Sequence, residues 1–338
     1  MVRCLCSHST MRKKYCSNIL ITLISILAFL FCAEVILRLG WQMGGWVERP
    51  IYRKSADPYL RYELVPGANS GNISVNSGGF RGPEYPIAKP PGTFRILMLG
   101  DSETLSIMLT YPETLSSQLE ALLNSNSPKR HYEVLNFGVE GYNTLQELEL
   151  LKKKGLKYDP DLIILNYVLN DPEPGEYYFN KSFLMRHSAL TRYITYRIKK
   201  ALIKRERRRL HIHSEVEHFY YLHQPKFFSH IQEAIVEMSG IARERGRKLV
   251  VVIFPTSSTA VGDFKERYPY WPLHKLVKSI PSENIIFIDL IDLFNKQGLS
   301  PQDVSINYQY NESHKNAPAL SLSADYICGI LKTRGLVE

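Results

Sequence analysis

From Phe94 onward the chain alternates between two apolar patterns. Short runs that are apolar almost throughout, at Arg95–Leu99, Tyr132–Phe137, Asp161–Tyr167, Lys248–Phe254 and Asn284–Ile288, are bounded by polar or turn residues. Between and after them, apolar residues recur at helical spacing in Pro112–Leu123, Thr144–Leu156, Phe227–Arg245, Pro269–Ile280 and Ala317–Leu331. Continuous apolar runs read as strands buried on both faces, and the periodic segments as helices laid over them. The pattern predicts an α/β fold: a three-layer α/β/α sandwich around a five-stranded parallel sheet. The rhythm breaks once, over about Pro172–Pro225, where a long helical insertion is expected.

Upstream the pattern changes. Ile19–Leu37 reads ILITLISILAFLFCAEVIL, nineteen residues with Glu34 as the one charge. At about 1.5 Å per residue this nearly matches a hydrocarbon core of about 30 Å. It is longer than a signal-peptide core and lacks a clean cleavage site, so an uncleaved membrane anchor is expected. Glu34 and Arg38 are spaced to pair on one helix face. The expected division is a tail over 1–18, an anchor over 19–38, a Gly-, Pro-, Asn- and Ser-rich lead-in over 39–93 with one short hairpin, and a domain over 94–334. Arg3, Arg12, Lys13 and Lys14 before the span balance Arg38, Arg49, Arg53 and Lys54 after it; the tight Arg12-Lys13-Lys14 cluster favours an inside N-terminus. This count permits a domain outside the cytoplasm.

Charge and cysteines narrow the picture. The formal net charge is +9, and the whole excess sits between Arg186 and Arg209, where ten cations face one acid, Glu206. A basic helical stretch on an anchored protein suits lipid headgroups or an acidic polymer better than nucleic acid, and no nucleic-acid partner is expected. Cys4, Cys6, Cys16 and Cys32 lie in the N-terminal segment, leaving Cys328 alone in the body without a disulfide partner there. Cys4, Cys6 and His8 lack a fourth ligand, so no metal is expected.

The polar residues at the strand ends carry the chemistry. In a parallel sheet all carboxyl ends meet at one edge. The first strand ends at Gly100-Asp101-Ser102, the second in NFGVEGYNT (Asn136–Thr144), the third at Asn170-Asp171, and His314 arrives just ahead of the last helix. Each fragment alone reads as turn or cap chemistry. Together they supply a hydroxyl, glycine-rich backbone amides, a carboxamide and an imidazole, the set an acyl-transfer site needs.

Gly-Asp-Ser, then Asn136-x-Gly138-x-x-Gly141, then Asn170-Asp171, then a C-terminal His314 resembles the SGNH (GDSL) hydrolases, over about Phe94–Leu331. The resemblance implies a flavodoxin-like sheet, no cofactor, and acyl or acetyl esters, often of envelope polysaccharides, as substrates. It implies Ser102 as nucleophile, His314 as base, and Ser102 N–H, Gly141 N–H and Asn170 as oxyanion donors. The family carries Asp three residues before the histidine, whereas this chain has Asn311; Val168, Lys315 and Ala319 also depart from the pattern. An amide can orient an imidazole but cannot stabilise imidazolium as a carboxylate does. Asn311 is the expected third member, with Glu312 and Asp303 as substitutes. The expected function is hydrolysis or transfer of an ester-linked acyl group on a small molecule or polysaccharide. A non-catalytic polysaccharide-binding or assembly component and a membrane-surface adaptor are the competing readings.

Overall fold

The computed structural model describes residues 3–42, 51–127, 130–173, 188–281, 283–311 and 313–338. Arg49, Arg186, Glu312 and the side chains of residues 3–16, Cys4, Cys6, His8 and Cys16 among them, lie outside what is described. The chain divides into two units, Met1–Glu48 with Asn180–His211 and Arg49–Phe179 with Ile212–Glu338.

Helix α1 (Arg3–Gln42) contains the apolar stretch Ser17–Leu39, 23 residues of mean hydropathy 2.7, long and apolar enough to cross a membrane. The lead-in forms two antiparallel pairs where one hairpin was expected, β1 (Tyr52–Lys54) with β2 (Tyr62–Leu64) and β3 (Asn69–Ser70) with β4 (Ile73–Ser74). The layered part begins with β5 (Thr93–Gly100), α2 (Ser102–Leu105), α3 (Leu115–Asn126), β6 (His131–Gly138), α4 (Thr144–Lys153) and β7 (Leu162–Tyr167). Within the expected insertion, α5 (Ala189–Arg209) groups with α1, whereas α6 (Glu215–Leu222) groups with the layered part. The chain closes with α7 (Pro225–Glu244), β8 (Leu249–Ile253), α8 (Trp271–Lys278), β9 (Ile285–Asp289), α9 (Leu290–Lys296), α10 (Pro301–Val304) and α11 (Ala317–Thr333).

The sheet is parallel throughout, in the order β6-β5-β7-β8-β9. The central strands are buried on both faces, with Ile96–Leu99 and Leu249–Ile253 wholly inaccessible, which is why they read as unbroken apolar runs, while edge strand β9 is half-buried over Ile285–Phe287. The helices start where side chains replace missing backbone partners. Thr114 Oγ1 accepts from Ser117 N at 3.2 Å to open α3, and Asn143 Oδ1 from Gln146 N at 3.0 Å to open α4. Asn316 Oδ1 accepts from Ala319 N at 3.0 Å and opens α11 two residues after His314. In this strand order β5 and β7 flank the switch point, so the crevice beyond their carboxyl ends is where such sheets hold their sites.

Candidate active site

Gly100 ends β5 at φ +154°, and a Cβ there would lie 2.0 Å from Thr104 Oγ1. Only glycine lets the chain turn this tightly into α2. Thr104 is fixed in turn by Asn166 Nδ2, which donates to its hydroxyl at 2.9 Å, and by Asn136 Nδ2, which donates to its carbonyl at 2.8 Å. Gly138 closes the packing from β6, since its Cβ would stand 2.3 Å from Leu105 N. Asp101 Oδ1 accepts from Glu103 N at 2.9 Å and caps α2, leaving Ser102 as the first helical residue.

His314 Nε2 lies 2.7 Å from Ser102 Oγ. Two neighbours hold this approach. Lys315 N donates to Glu103 Oε2 at 3.1 Å, and Lys315 Nζ to Glu103 Oε1 at 3.2 Å and to the Ser313 carbonyl at 2.8 Å. The residues immediately after the serine and the histidine thus form a buried ion pair, Lys315 being 2 % exposed and Glu103 7 %. Ser257 Oγ donates to the Ser313 carbonyl at 2.9 Å and ties the same loop to the segment after β8.

Ser102, Asn170 and His314 line one cleft of about 150 Å³, with Phe219, Phe254 and Thr256 as further walls. Burial pushes the Asp101 carboxyl up, and the nearby Asn170 carboxamide partly offsets this; an amide nitrogen carries two hydrogens to donate. Gly141 sits at φ +75° in the turn before α4 and is not among the described residues that line the cleft.

Asn311 is elsewhere. Its Oδ1 accepts from Thr259 N at 2.8 Å and Thr259 Oγ1 at 2.5 Å, and its Nδ2 donates to Glu215 Oε2 at 3.5 Å. With φ +58° it caps a left-handed turn, and its carboxamide fastens the 308–313 loop to the 255–260 segment and α6. This corrects its expected place beside His314: spacing along a loop does not fix which side chain faces the imidazole. Asp303 is likewise committed, accepting from Ser300 N at 2.8 Å and Ser300 Oγ at 2.7 Å as the box that opens α10. Glu312 lies outside the described residues.

Behind the serine stands an acidic group, Asp101 and Asp171 from the motifs together with Glu147, which no motif singles out. Asp101, Asp171 and Glu147 are all buried. Asp171 Oδ2 accepts from Thr144 Oγ1 at 2.8 Å, while Asp171 Oδ1 and both Glu147 oxygens have no hydrogen-bond partner among the described residues. Burial pushes all three carboxyls above their ordinary range; Asp171 and Asp101 push Glu147 further, and Asp101 does the same to Asp171. A second imidazole–carboxylate pair, His274 Nδ1 with Asp289 Oδ1 at 2.9 Å, is buried against Tyr268 with no serine attached, and reads as core structure. A wider hollow of about 360 Å³ near Arg243, Lys248 and Asn284, at the amino edge of the sheet, gathers no nucleophile and base. No group of three or more His, Cys, Asp or Glu among the described residues is disposed to hold a metal ion.

No family model matches the chain, and no curated protein matches it. Solved structures do. The acetylxylan esterase Axe2 from Geobacillus stearothermophilus shares 14% identity at TM-score 0.44, over 72% of this chain and 96% of that one. A protein assigned to the lipolytic G-D-S-L family from Desulfitobacterium hafniense DCB-2 shares 13% at TM-score 0.40, over 70% and 99%. At these values the likeness carries no argument about this chain and assigns no residue a role. The solved structures to which this chain is similar are thus a lipolytic protein of the G-D-S-L family and an acetylxylan esterase.

Proposed function

We propose that the chain is a membrane-anchored SGNH-type ester hydrolase or acyl transferase working through Ser102 and His314. The observation that carries the reading is the 2.7 Å contact between Ser102 Oγ and His314 Nε2 at the switch point of the sheet. His314 takes the Ser102 proton as Oγ attacks the ester carbonyl carbon. The carbonyl oxygen becomes an oxyanion held by Ser102 N–H and the Asn170 carboxamide, with Gly141 N–H as the third donor implied by the motif. Imidazolium returns the proton to the leaving alkoxide, giving a free alcohol and an acyl-serine. Water completes hydrolysis and an acceptor hydroxyl completes transfer; either one loses its proton to His314, which passes it to Ser102 Oγ as the acid or the new ester leaves.

A cleft of about 150 Å³ is smaller than ordinary drug-sized pockets of about 300–1,000 Å³, which suits a short acyl group such as acetyl on a carbohydrate that itself stays outside. The test is turnover of p-nitrophenyl esters of rising chain length. Acetate is expected to be cleaved faster than octanoate, and Ser102→Ala to abolish both. Equal rates would remove the short-acyl reading, and activity retained in Ser102→Ala would remove the serine.

A further inference from the structure

The basic helix α5 starts on the anchor. In α1, Glu34 accepts from Arg38 Nε at 2.7 Å, as the spacing predicted. It also accepts from Ser188 Oγ at 2.9 Å, Ala189 N at 2.8 Å and Leu190 N at 2.9 Å. The carboxylate therefore satisfies the exposed N–H groups at the head of α5. Glu34 stands five residues before the end of the apolar stretch at Leu39, about 8 Å along the helix axis. Headgroup layers are about 5–8 Å thick on each side of the hydrocarbon. With α1 spanning a bilayer, the head of α5 meets the anchor within about 8 Å of the membrane face at which the apolar stretch ends.

The residues of α5 suit that level. Leu190, Ile194, Ile198, Ala201 and Leu202 recur at three- and four-residue spacing on one face, with Arg197 at its margin and Arg205 closing it at the carboxyl end. Every residue from Ile194 to Arg209 is exposed; Ile194, Ile198 and Leu202 are 47%, 56% and 58% accessible. Arg192, Lys199, Lys200 and Lys204 lie on the other faces, Lys200 Nζ is 5.8 Å from the Tyr196 ring centre, and the helix ends in Lys204-Arg205-Glu206-Arg207-Arg208-Arg209. A solvated charged helix would have no use for the apolar stripe. An acidic polymer would engage the cations but leave the stripe and the mooring to the anchor unexplained. A bilayer surface uses all three: acyl chains for the stripe, interfacial depth for the tyrosines, and anionic headgroups for the cations.

We infer that α5 is an in-plane helix that binds anionic lipid headgroups while moored to the anchor through Glu34. The inference rests on α1 spanning the membrane, and the two are separable by experiment. The full chain is reconstituted in vesicles of phosphatidylcholine alone or mixed with phosphatidylglycerol, and amide hydrogen exchange is monitored over 194–203. Exchange is expected to slow about tenfold or more in the anionic vesicles relative to the neutral ones. The effect should weaken in high salt, and should vanish when Lys204, Arg205, Arg207, Arg208 and Arg209 are all changed to Gln. Because these side chains are exposed, their loss leaves the fold intact. Equal exchange in both vesicles overturns the inference, as does slowing that needs polygalacturonate added to neutral vesicles. Flotation with neutral vesicles in high salt reports on α1 alone. A chain that fails to float overturns the anchor and the placement of α5 with it; one that floats with unprotected α5 overturns α5 only.

Discussion

Gly100 and Asn311 bound what single residues do at this site. Gly100→Ala sets a methyl on the Thr104 hydroxyl and asks an L-residue to hold φ +154°. The cost should exceed about 1 kcal/mol, with turnover falling further because the turn carries Ser102. Thermal melts and ester kinetics on the variant check both. Asn311→Asp would restore the acid of the family motif, and from sequence alone it should raise turnover. The contacts reverse that expectation. A carboxylate there would face Glu215 Oε2 across the 3.5 Å now bridged by the amide nitrogen. Lower stability and no gain in rate are expected, and a faster enzyme would return Asn311 to the imidazole. Ser102 and His314 were legible because parallel strands deliver their ends to one edge. Asn311 was misread because a left-handed turn aims its side chain in a direction that no spacing encodes.

At the scale of elements, the Glu103–Lys315 pair joins α2 to the loop ahead of α11. Removing one partner of such a buried pair strands the other, so Lys315→Met is expected to cost about 3–5 kcal/mol. Glu103→Gln with Lys315→Met should recover part of that stability. In a double-mutant cycle the coupling should reach about 1 kcal/mol or more. The same cycle on kcat/KM should be non-additive too, because the pair sets the Ser102–His314 approach; additivity in both would leave the pair without that role. The strands and long helices were visible as apolar runs and helical periods. The clamp was not, because Glu and Lys read as surface residues until tertiary contacts bury them. The docking of α5 on α1 was hidden for the same reason: Glu34 has an adequate local partner in Arg38, and nothing in the sequence announces a second one.

Across the whole molecule, the three buried carboxyls behind the serine make stability depend on pH. All titrate above their ordinary range, burial being the first cause. These three groups therefore bind more protons in the folded chain than in the unfolded one above about pH 4, and their contribution to stability falls as pH rises through the raised values. Glu147→Gln keeps the shape and cannot ionise. It should melt higher than the wild type at neutral pH, with a shallower slope against pH, and the two should converge below about pH 4. An unchanged slope would mean that Glu147 keeps its charge when folded. The central claim is that Ser102, activated by His314, attacks ester carbonyls, and the most direct measurement is intact-protein mass after exposure to a fluorophosphonate. The expected result is one adduct, mapped to Ser102, absent in Ser102→Ala and slowed about a hundredfold or more in His314→Ala. A folded wild type that takes up no label, or takes it up at another residue, would contradict it.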